Sequence, residues 1–280
     1  MLYLDKNYIY DKVKAALEED APYGDITSLF TQKESSWSKG RIWAKEDLVV
    51  SGMDVAQAAF DITDASCIFT PCVEDGDAVK GGETLAFVEG PSVSLLTAER
   101  IALNFLQRMS GIATMTRRYV EAVSHTRARI TDTRKTTPLL RLFEKYAVRC
   151  GGGFNHRTGL SDGILIKDNH IAAAGGITCA VEAARSMAAH TLRIEVEIKS
   201  PDQLEEALAS GAEIIMLDNF TTEDMKKAVA AVGGRALLEA SGGINLETLK
   251  AVAETGVDII SSGALTHSVK AVDISLDLEE

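Results

Sequence analysis

The chain has 280 residues, 46% of them hydrophobic and 25% charged, with a formal net charge of -12. This is the composition of a globular protein with room for one large domain or two ordinary ones. Its acidity excludes broad binding to nucleic acid or to an anionic membrane surface.

Residues 6–20 have helical spacing, with Ile9, Val13, Ala16 and Leu17 on one face. "PYGDIT" then breaks the pattern. Alternating runs such as "RIWAKEDLVVSG" and "CIFTPCVEDGDAVKGGETLAFVEG" read as strands joined by Gly-Asp and Gly-Gly turns. The second resembles a lipoyl-type hairpin but has no lysine in a tight turn between methionines, so it reads as structural. A long helix is predicted from about Ser94 to Tyr119, with Leu95, Ile101, Leu103, Phe105, Leu106 and Ile112 on its apolar faces.

From residue 125 onward apolar runs end in polar residues and are followed by helical stretches. The runs are "ARITDTRK", "GILIKDNH", "LRIEVEIK", "EIIMLDNF", "RALLEASGG" and "DIISSGAL". Ser200, Thr221 and Asn245 are placed to cap the helices between them. Alternating strands and helices imply parallel strands. The fold class predicted is α/β: an N-terminal α/β (α+β) domain over 1–112, then an incomplete (β/α) barrel of six to seven parallel strands over 113–268. A doubly wound open sheet is the alternative, but no GxGxxG follows the first strand.

Four cysteines occur without a CxxC pair. The N-terminal stretch has no apolar run of signal-peptide length, and no segment approaches the ~18 apolar residues of a membrane span. A reducing, cytoplasmic setting is expected.

Against the acidic background, residues 132–159 carry Arg134, Lys135, Arg141, Lys145, Arg149, Arg157 and His156, but only Asp132 and Glu144 as acids. A barrel places its chemistry at the C-terminal ends of its strands. Arg134, Lys135, Arg157 and Lys167 are suited there to carboxylate or phosphate. Glu197 and Asp218 suit a divalent metal bound through oxygen. "SGG" and "SSG" are small enough to approach a phosphate. Each has a plain structural alternative: Lys167 pairing with Asp168 or Asp162, Glu197 pairing with Lys199, Asp218 capping a helix. Together on one rim they favour a phosphorylated, multiply anionic ligand with a metal.

At "TDTRKTTP", "EKYAVRCGGGFNHRTGLSD" and "LIKDNHI" the sequence resembles the quinolinate phosphoribosyltransferase family. The likeness continues through "AERIALNFLQRMSGIAT", "IEVEIKSPDQLEEALASGAEIIMLDNF", "LEASGGINLETL" and "GVDIISSGALTHS", and so covers essentially the whole chain. One departure is Leu139, where the family usually has glycine.

The resemblance implies transfer of phosphoribose from phosphoribosyl pyrophosphate to quinolinate with loss of carbon dioxide, in a magnesium-dependent reaction. It implies that residues 269–280 return to the N-terminal domain. It places Arg134, His156, Arg157 and Lys167 at the quinolinate carboxylates and Lys135 nearer the phosphates, with Thr133 also among the substrate-binding residues. Glu197 and Asp218 would hold the ribose hydroxyls and the metal, and Ser241, Gly242, Gly243, Ser262 and Gly263 the 5′-phosphate. Lys135, Lys167, Glu197 and Asp218 form the implied catalytic set. Arg100 would come from the neighbouring subunit of a homodimer with shared active sites, which a higher oligomer of dimers could contain.

Three rivals are weighed. A related protein of molybdate-transport operons is disfavoured by "KYAVRCGGGFNHR" and "IKDNHI". A Schiff-base aldolase using Lys167 would be trapped by borohydride. A non-catalytic anion scaffold is disfavoured by the presence of both Glu197 and Asp218.

Overall fold

The computed structural model describes residues 4–279. The chain divides into two compact units, one of Met1–Arg117, Leu142–Gly152 and Val269–Glu280, the other of Arg118–Arg141 and Gly153–Ser268.

In the first unit α1 (Lys6–Asp20) begins where the Asp5 carboxylate accepts the backbone N–H groups of Asn7 and Tyr8, and it buries Ile9 and Val13. Asp25 caps α2 (Ile26–Thr31) in the same way, which is why "PYGDIT" interrupts the first helix and starts another. There follow β1 (Trp37–Ala44), β2 (Leu48–Val49), α3 (Met53–Thr63), β3 (Ile68–Pro71), β4 (Ala78–Val79), β5 (Thr84–Pro91) and α4 (Ser92–Val123). The main sheet is antiparallel, in the order β12-β1-β5-β3, with the last strand β12 (Ile274–Leu278) paired to β1; β2 and β4 form a separate short pair.

Helix α4 is longer at both ends than its apolar pattern predicts. It starts directly after Pro91, and the good helix formers of "RRYVEAV" carry it on to the buried Val123. Gly111 sits inside it because a Cβ there would lie 3.3 Å from the Cα of Ala271.

The second unit is built from β6 (Arg129–Thr131), β7 (Ile164–Ile166), α6 (Asp168–Ala174), α7 (Ile177–Met187), β8 (Ile194–Ile198), α8 (Leu204–Ala209), β9 (Ile214–Asp218), α9 (Thr222–Val232), β10 (Leu237–Ser241), α10 (Leu246–Ala253), β11 (Ile259–Ser261) and α11 (Ala264–His267). Helix α5 (Arg141–Cys150) interrupts the barrel sequence. From Leu142 onward it belongs to the first unit, whereas a single barrel stretch from 113 to 268 was expected. Its apolar side explains this: Phe143 is buried against Tyr8 and Phe105, with ring centroids 5.3 and 5.4 Å away.

All six strands of the second unit are parallel, in the order β6-β11-β10-β9-β8-β7. The first strand pairs with the last, so the sheet curls into a barrel with one gap, between β6 and β7. Residues 153–157 lie along that gap: Phe154 bridges Thr131, donating to the Ile130 carbonyl at 2.8 Å and accepting from Asp132 at 3.3 Å. Thr221 and Asn245 cap α9 and α10 as their sequence positions predict, and Ser200 heads the short 3-10 turn before α8.

Strand β8, "IEVEI", shows how the sequence sets the interior. Ile194, Val196 and Ile198 are fully buried on one face, each stabilising the fold by about 1.5–3 kcal/mol. Alternation puts Glu195 and Glu197 on the other face, also buried.

Candidate active site

The C-terminal ends of the six strands surround a cavity of about 590 Å³. Eleven sequence-predicted residues meet there: Thr133, Arg134 and Lys135 after β6, His156 and Arg157 from the gap segment, Lys167 after β7, Glu197 on β8, Asp218 closing β9, and Ser241, Gly242 and Gly243 at the end of β10. Four further residues line it: Asn219 and Ser261, polar strand-end residues expected at this mouth though given no role, and Leu165 and Met216, which were not expected.

The cations are poised for an anion. Arg134 Nε is buried and has no hydrogen-bond partner. Arg157 donates from Nη1 to the Gly163 carbonyl at 3.1 Å. Burial, and then the neighbouring Arg134 charge, make Arg157 less basic than an ordinary arginine. Two guanidiniums close together in a partly dry pocket favour the binding of a negative group, although Glu195 and Asp162 already offset part of the charge on Arg157.

The plain structural alternatives fare unevenly. Lys167 pairs with Glu197, rather than with Asp168 or Asp162. Lys199 instead takes Asp168, at 2.5 Å, which holds that carboxyl below its usual range. Asp218 caps no helix, since α9 is capped by Thr221. Its carboxylate accepts from Asn219 Nδ2 at 3.1 Å.

Asn219 ties two parts of the rim together. Its φ of 58° is left-handed, and its N–H donates to the Ser241 carbonyl at 2.9 Å. The β10 turn passes so close that a Cβ on Gly242 would lie 2.9 Å from the Asn219 nitrogen, and Gly242 itself has φ 95°. Only glycine fits there.

Ser262 and Gly263 do not line the cavity. The Ser262 hydroxyl donates to the Ile244 carbonyl at 3.0 Å and its N–H to the Thr131 carbonyl at 3.1 Å, so it braces the glycine turn from behind. A Cβ on Gly263 would lie 3.0 Å from Lys135 Cδ, so the turn passes close to that lysine's stem.

His156 departs from expectation. Its Nδ1 accepts the Arg157 N–H at 2.8 Å and its Nε2 lies 3.0 Å from the Glu195 carboxylate, so both ring nitrogens face groups of the protein itself.

Arg100 lies on α4 in the first unit, half exposed, 3.9 Å from Glu99.

The strand ends also carry Asp132 and Glu239, which form with Glu195, the one of the three that sequence reasoning missed, a buried acid group below the rim. Asp132 is fully buried and accepts from Asn155 Nδ2 at 2.6 Å and from the His156 N–H at 2.9 Å. Glu195 and Glu239 are buried beside His156, and burial with the Glu195 charge pushes Glu239 up to about 8. The signal for Glu195 was present: strand alternation puts it on the face of Glu197, as it puts Glu239 on the face of Ser241. Among the described residues no helix is long and apolar enough to cross a membrane.

Comparison with known proteins agrees with this geometry. Residues 25–110 match the family profile "Quinolinate phosphoribosyl transferase, N-terminal domain", and residues 112–277 match the corresponding C-terminal domain. The chain is 47% identical over 260 residues to a probable nicotinate-nucleotide pyrophosphorylase [carboxylating] of Bacillus subtilis, covering 93% of this chain and 90% of that one. It is 46% identical to the Mycobacterium leprae nicotinate-nucleotide pyrophosphorylase [carboxylating], covering 96% of each. The solved structure of the Francisella tularensis nicotinate-nucleotide pyrophosphorylase superposes with a TM-score of 0.96 at 40% identity, covering 99% of this chain and 98% of that one.

Proposed function

We infer the chemistry of this site from the premise that the chain belongs to the quinolinate phosphoribosyltransferase family. The chain is a pentosyltransferase. It joins quinolinate to phosphoribosyl pyrophosphate, releasing pyrophosphate and carbon dioxide and giving nicotinate mononucleotide for NAD biosynthesis. The observation that carries the residue assignment is the pair Arg134 and Arg157, two guanidiniums in one pocket, the first with a buried Nε that has no partner.

In this reading Arg134 and Arg157 grip the two quinolinate carboxylates, each able to present two parallel N–H donors. Lys167 completes the acceptor site and shares its charge between the substrate and Glu197. His156 forms the pocket wall and supports Arg157 through its backbone. The β10 turn of Ser241, Gly242 and Gly243 takes the 5′-phosphate on backbone N–H groups. Thr133 and Lys135 lie toward the pyrophosphate, and Glu197 and Asp218 toward the ribose hydroxyls.

Magnesium belongs to the same proposal. Glu197 and Asp218 supply the hard carboxylate oxygens it prefers, on adjacent strands facing one cavity. When bound there it would neutralise charge on the leaving pyrophosphate.

As the bond from ribose C1 to pyrophosphate breaks, its electron pair leaves with pyrophosphate and positive charge grows on the ribose, as at a glycosidic oxocarbenium centre. Lys135 stabilises the departing anion, and Glu197 and Asp218 stabilise the ribose side. The pyridine nitrogen attacks with its own lone pair, so no general base is required. In the adduct the bond from C2 to its carboxylate breaks and carbon dioxide leaves. The electron pair left on C2 is stabilised by the adjacent cationic nitrogen and then takes a proton.

The assembly proposed is a homodimer with Arg100 delivered to the partner's acceptor site. What supports it is that Arg100 is exposed and that its ion pair with Glu99 is long, at 3.9 Å. Incubation with quinolinate, phosphoribosyl pyrophosphate and magnesium tests the whole reading: nicotinate mononucleotide, carbon dioxide and pyrophosphate should form in equal amounts, and loss of both Arg134 and Arg157 should abolish them.

A further inference from the structure

One residue pair below the rim on β8 and β10, Glu195 and Glu239 converge on His156. They are 5% and 2% exposed. His156 Nε2 lies 3.0 Å from Glu195 Oε2 and 3.7 Å from Glu239 Oε1. The Oε1 atom of each glutamate is buried without a hydrogen-bond partner. The three side chains line a second cavity of about 550 Å³ at the N-terminal ends of the strands, and His156 and Arg157 form the wall between this cavity and the active-site one.

One histidine and two carboxylates whose donor atoms lie within 4.8 Å of one another have the make-up of a metal site. The imidazole argues otherwise. A metal on Nε2 requires a proton on Nδ1, donated outward to a further acceptor. Here Nδ1 faces a donor, the Arg157 N–H at 2.8 Å. A ring nitrogen that accepts carries no proton, so the single proton of the neutral ring lies on Nε2, aimed at Glu195. Glu239, made less acidic by burial and by the Glu195 charge, stands 3.7 Å from the same ring nitrogen.

The same ring is one of three consecutive anchors. Asp132 holds Asn155 through its side chain and His156 through its N–H, and His156 holds the N–H of Arg157. This segment fills the gap between β6 and β7, and beyond Phe154 no strand ladder fixes it. Side chains must therefore supply the rigidity that a binding arginine needs.

We propose that Glu195 and Glu239 are positioning residues of the acceptor site, which lock His156 as its Nε2–H tautomer and, through Nδ1, fix the backbone from which Arg157 reaches the substrate. This rests on the reading that Arg157 binds a quinolinate carboxylate. The acids never touch the substrate; their effect is on where one guanidinium stands.

Two measurements test it. Nitrogen chemical shifts of the His156 imidazole in the parent protein at neutral pH should show a protonated Nε2 and an unprotonated Nδ1. An imidazolium, the opposite tautomer, or zinc bound to the parent and lost in Glu239→Gln would overturn the proposal. In steady-state kinetics, folded Glu195→Ala and Glu239→Ala should each raise the KM for quinolinate about tenfold or more, the scale of a misplaced binding group. The KM for phosphoribosyl pyrophosphate should stay near the parental value, and Glu239→Gln, neutral and of the same shape, should restore the quinolinate KM. Equal rises in both KM values, or no rise in either, would reduce the acids to a structural role. Arg157→Ala separates the two layers. If it leaves the quinolinate KM unchanged, the acceptor-site reading fails. If it raises that KM while the glutamate variants do not, the positioning role alone fails.

Discussion

Arg134→Lys keeps the charge and discards the geometry. In the parent the Nε of Arg134 is buried and unpartnered, so the guanidinium has a donor in reserve for the substrate. Lysine has no donor at that point on its stem, and its ammonium is a compact point charge rather than a fork. The substitution therefore removes one of two charge-assisted hydrogen bonds to a quinolinate carboxylate. Such a bond contributes about 1.5–3 kcal/mol. At 1.36 kcal/mol per tenfold, kcat/KM for quinolinate should fall by about tenfold to 150-fold. The assay varies quinolinate at saturating phosphoribosyl pyrophosphate and follows nicotinate mononucleotide by chromatography. The KM for phosphoribosyl pyrophosphate should move little, because in the proposed site Arg134 grips the quinolinate carboxylate and the phosphates are left to Thr133, Lys135 and the β10 turn. A lysine variant with parental kcat/KM for quinolinate would refute the two-pronged grip, and a change confined to phosphoribosyl pyrophosphate would move Arg134 to the other substrate.

Three further outcomes are expected. Leu139 holds a left-handed φ of 67° and is 74% exposed; relief of about 1–2 kcal/mol of strain, offset in part by the greater freedom of the unfolded glycine chain, gives Leu139→Gly a net gain of about 0.5–1 kcal/mol in urea unfolding, with activity kept. Gly242→Ala would push a methyl into Asn219 and displace the phosphate turn, so the KM for phosphoribosyl pyrophosphate should rise while that for quinolinate changes little. Arg100→Ala and Lys167→Ala should each be nearly inactive alone; mixed in equal amounts with free subunit exchange they should recover about a quarter of parental activity per subunit, since about half the dimers would be mixed and each would hold one intact site. Absence of recovery, with heterodimers demonstrated by mass spectrometry, would remove Arg100 from a shared site.

The barrel was legible because its signals are local. Apolar runs ending in polar residues marked the strands, and Thr221 and Asn245 marked helix starts through their own side-chain hydrogen bonds. The rim residues followed, since a strand end is a position in sequence. What escaped depends on neighbours far along the chain. The cations of residues 132–159 read as one cluster, yet Arg141 braces the loop through Thr136 and the Thr158 carbonyl, and Lys145 is fully buried on α5 in the first unit. Glu239 stood among the strand-end residues, but Glu195, one pair below the rim on β8, did not, although charges inside a parallel strand are themselves a warning. His156 was placed at the substrate by resemblance; its ring is committed to Arg157 and Glu195, a fact set by the gap between β6 and β7 that no local pattern reveals. Asn219 looked like the tail of a strand, and its left-handed backbone appears only once the β10 turn is laid against it.

The central claim is that a pocket of paired cations selects a dicarboxylate as the acceptor for phosphoribose. The direct measurement is kcat/KM for quinolinate against kcat/KM for nicotinate, each with phosphoribosyl pyrophosphate and magnesium. Nicotinate lacks the 2-carboxylate and would leave a pocket cation without its partner, and sites built to bond a group reject analogues lacking it by about 10⁴-fold or more. The account predicts discrimination on that scale in favour of quinolinate, with carbon dioxide released once per nicotinate mononucleotide formed. Comparable values for the two acceptors would contradict it.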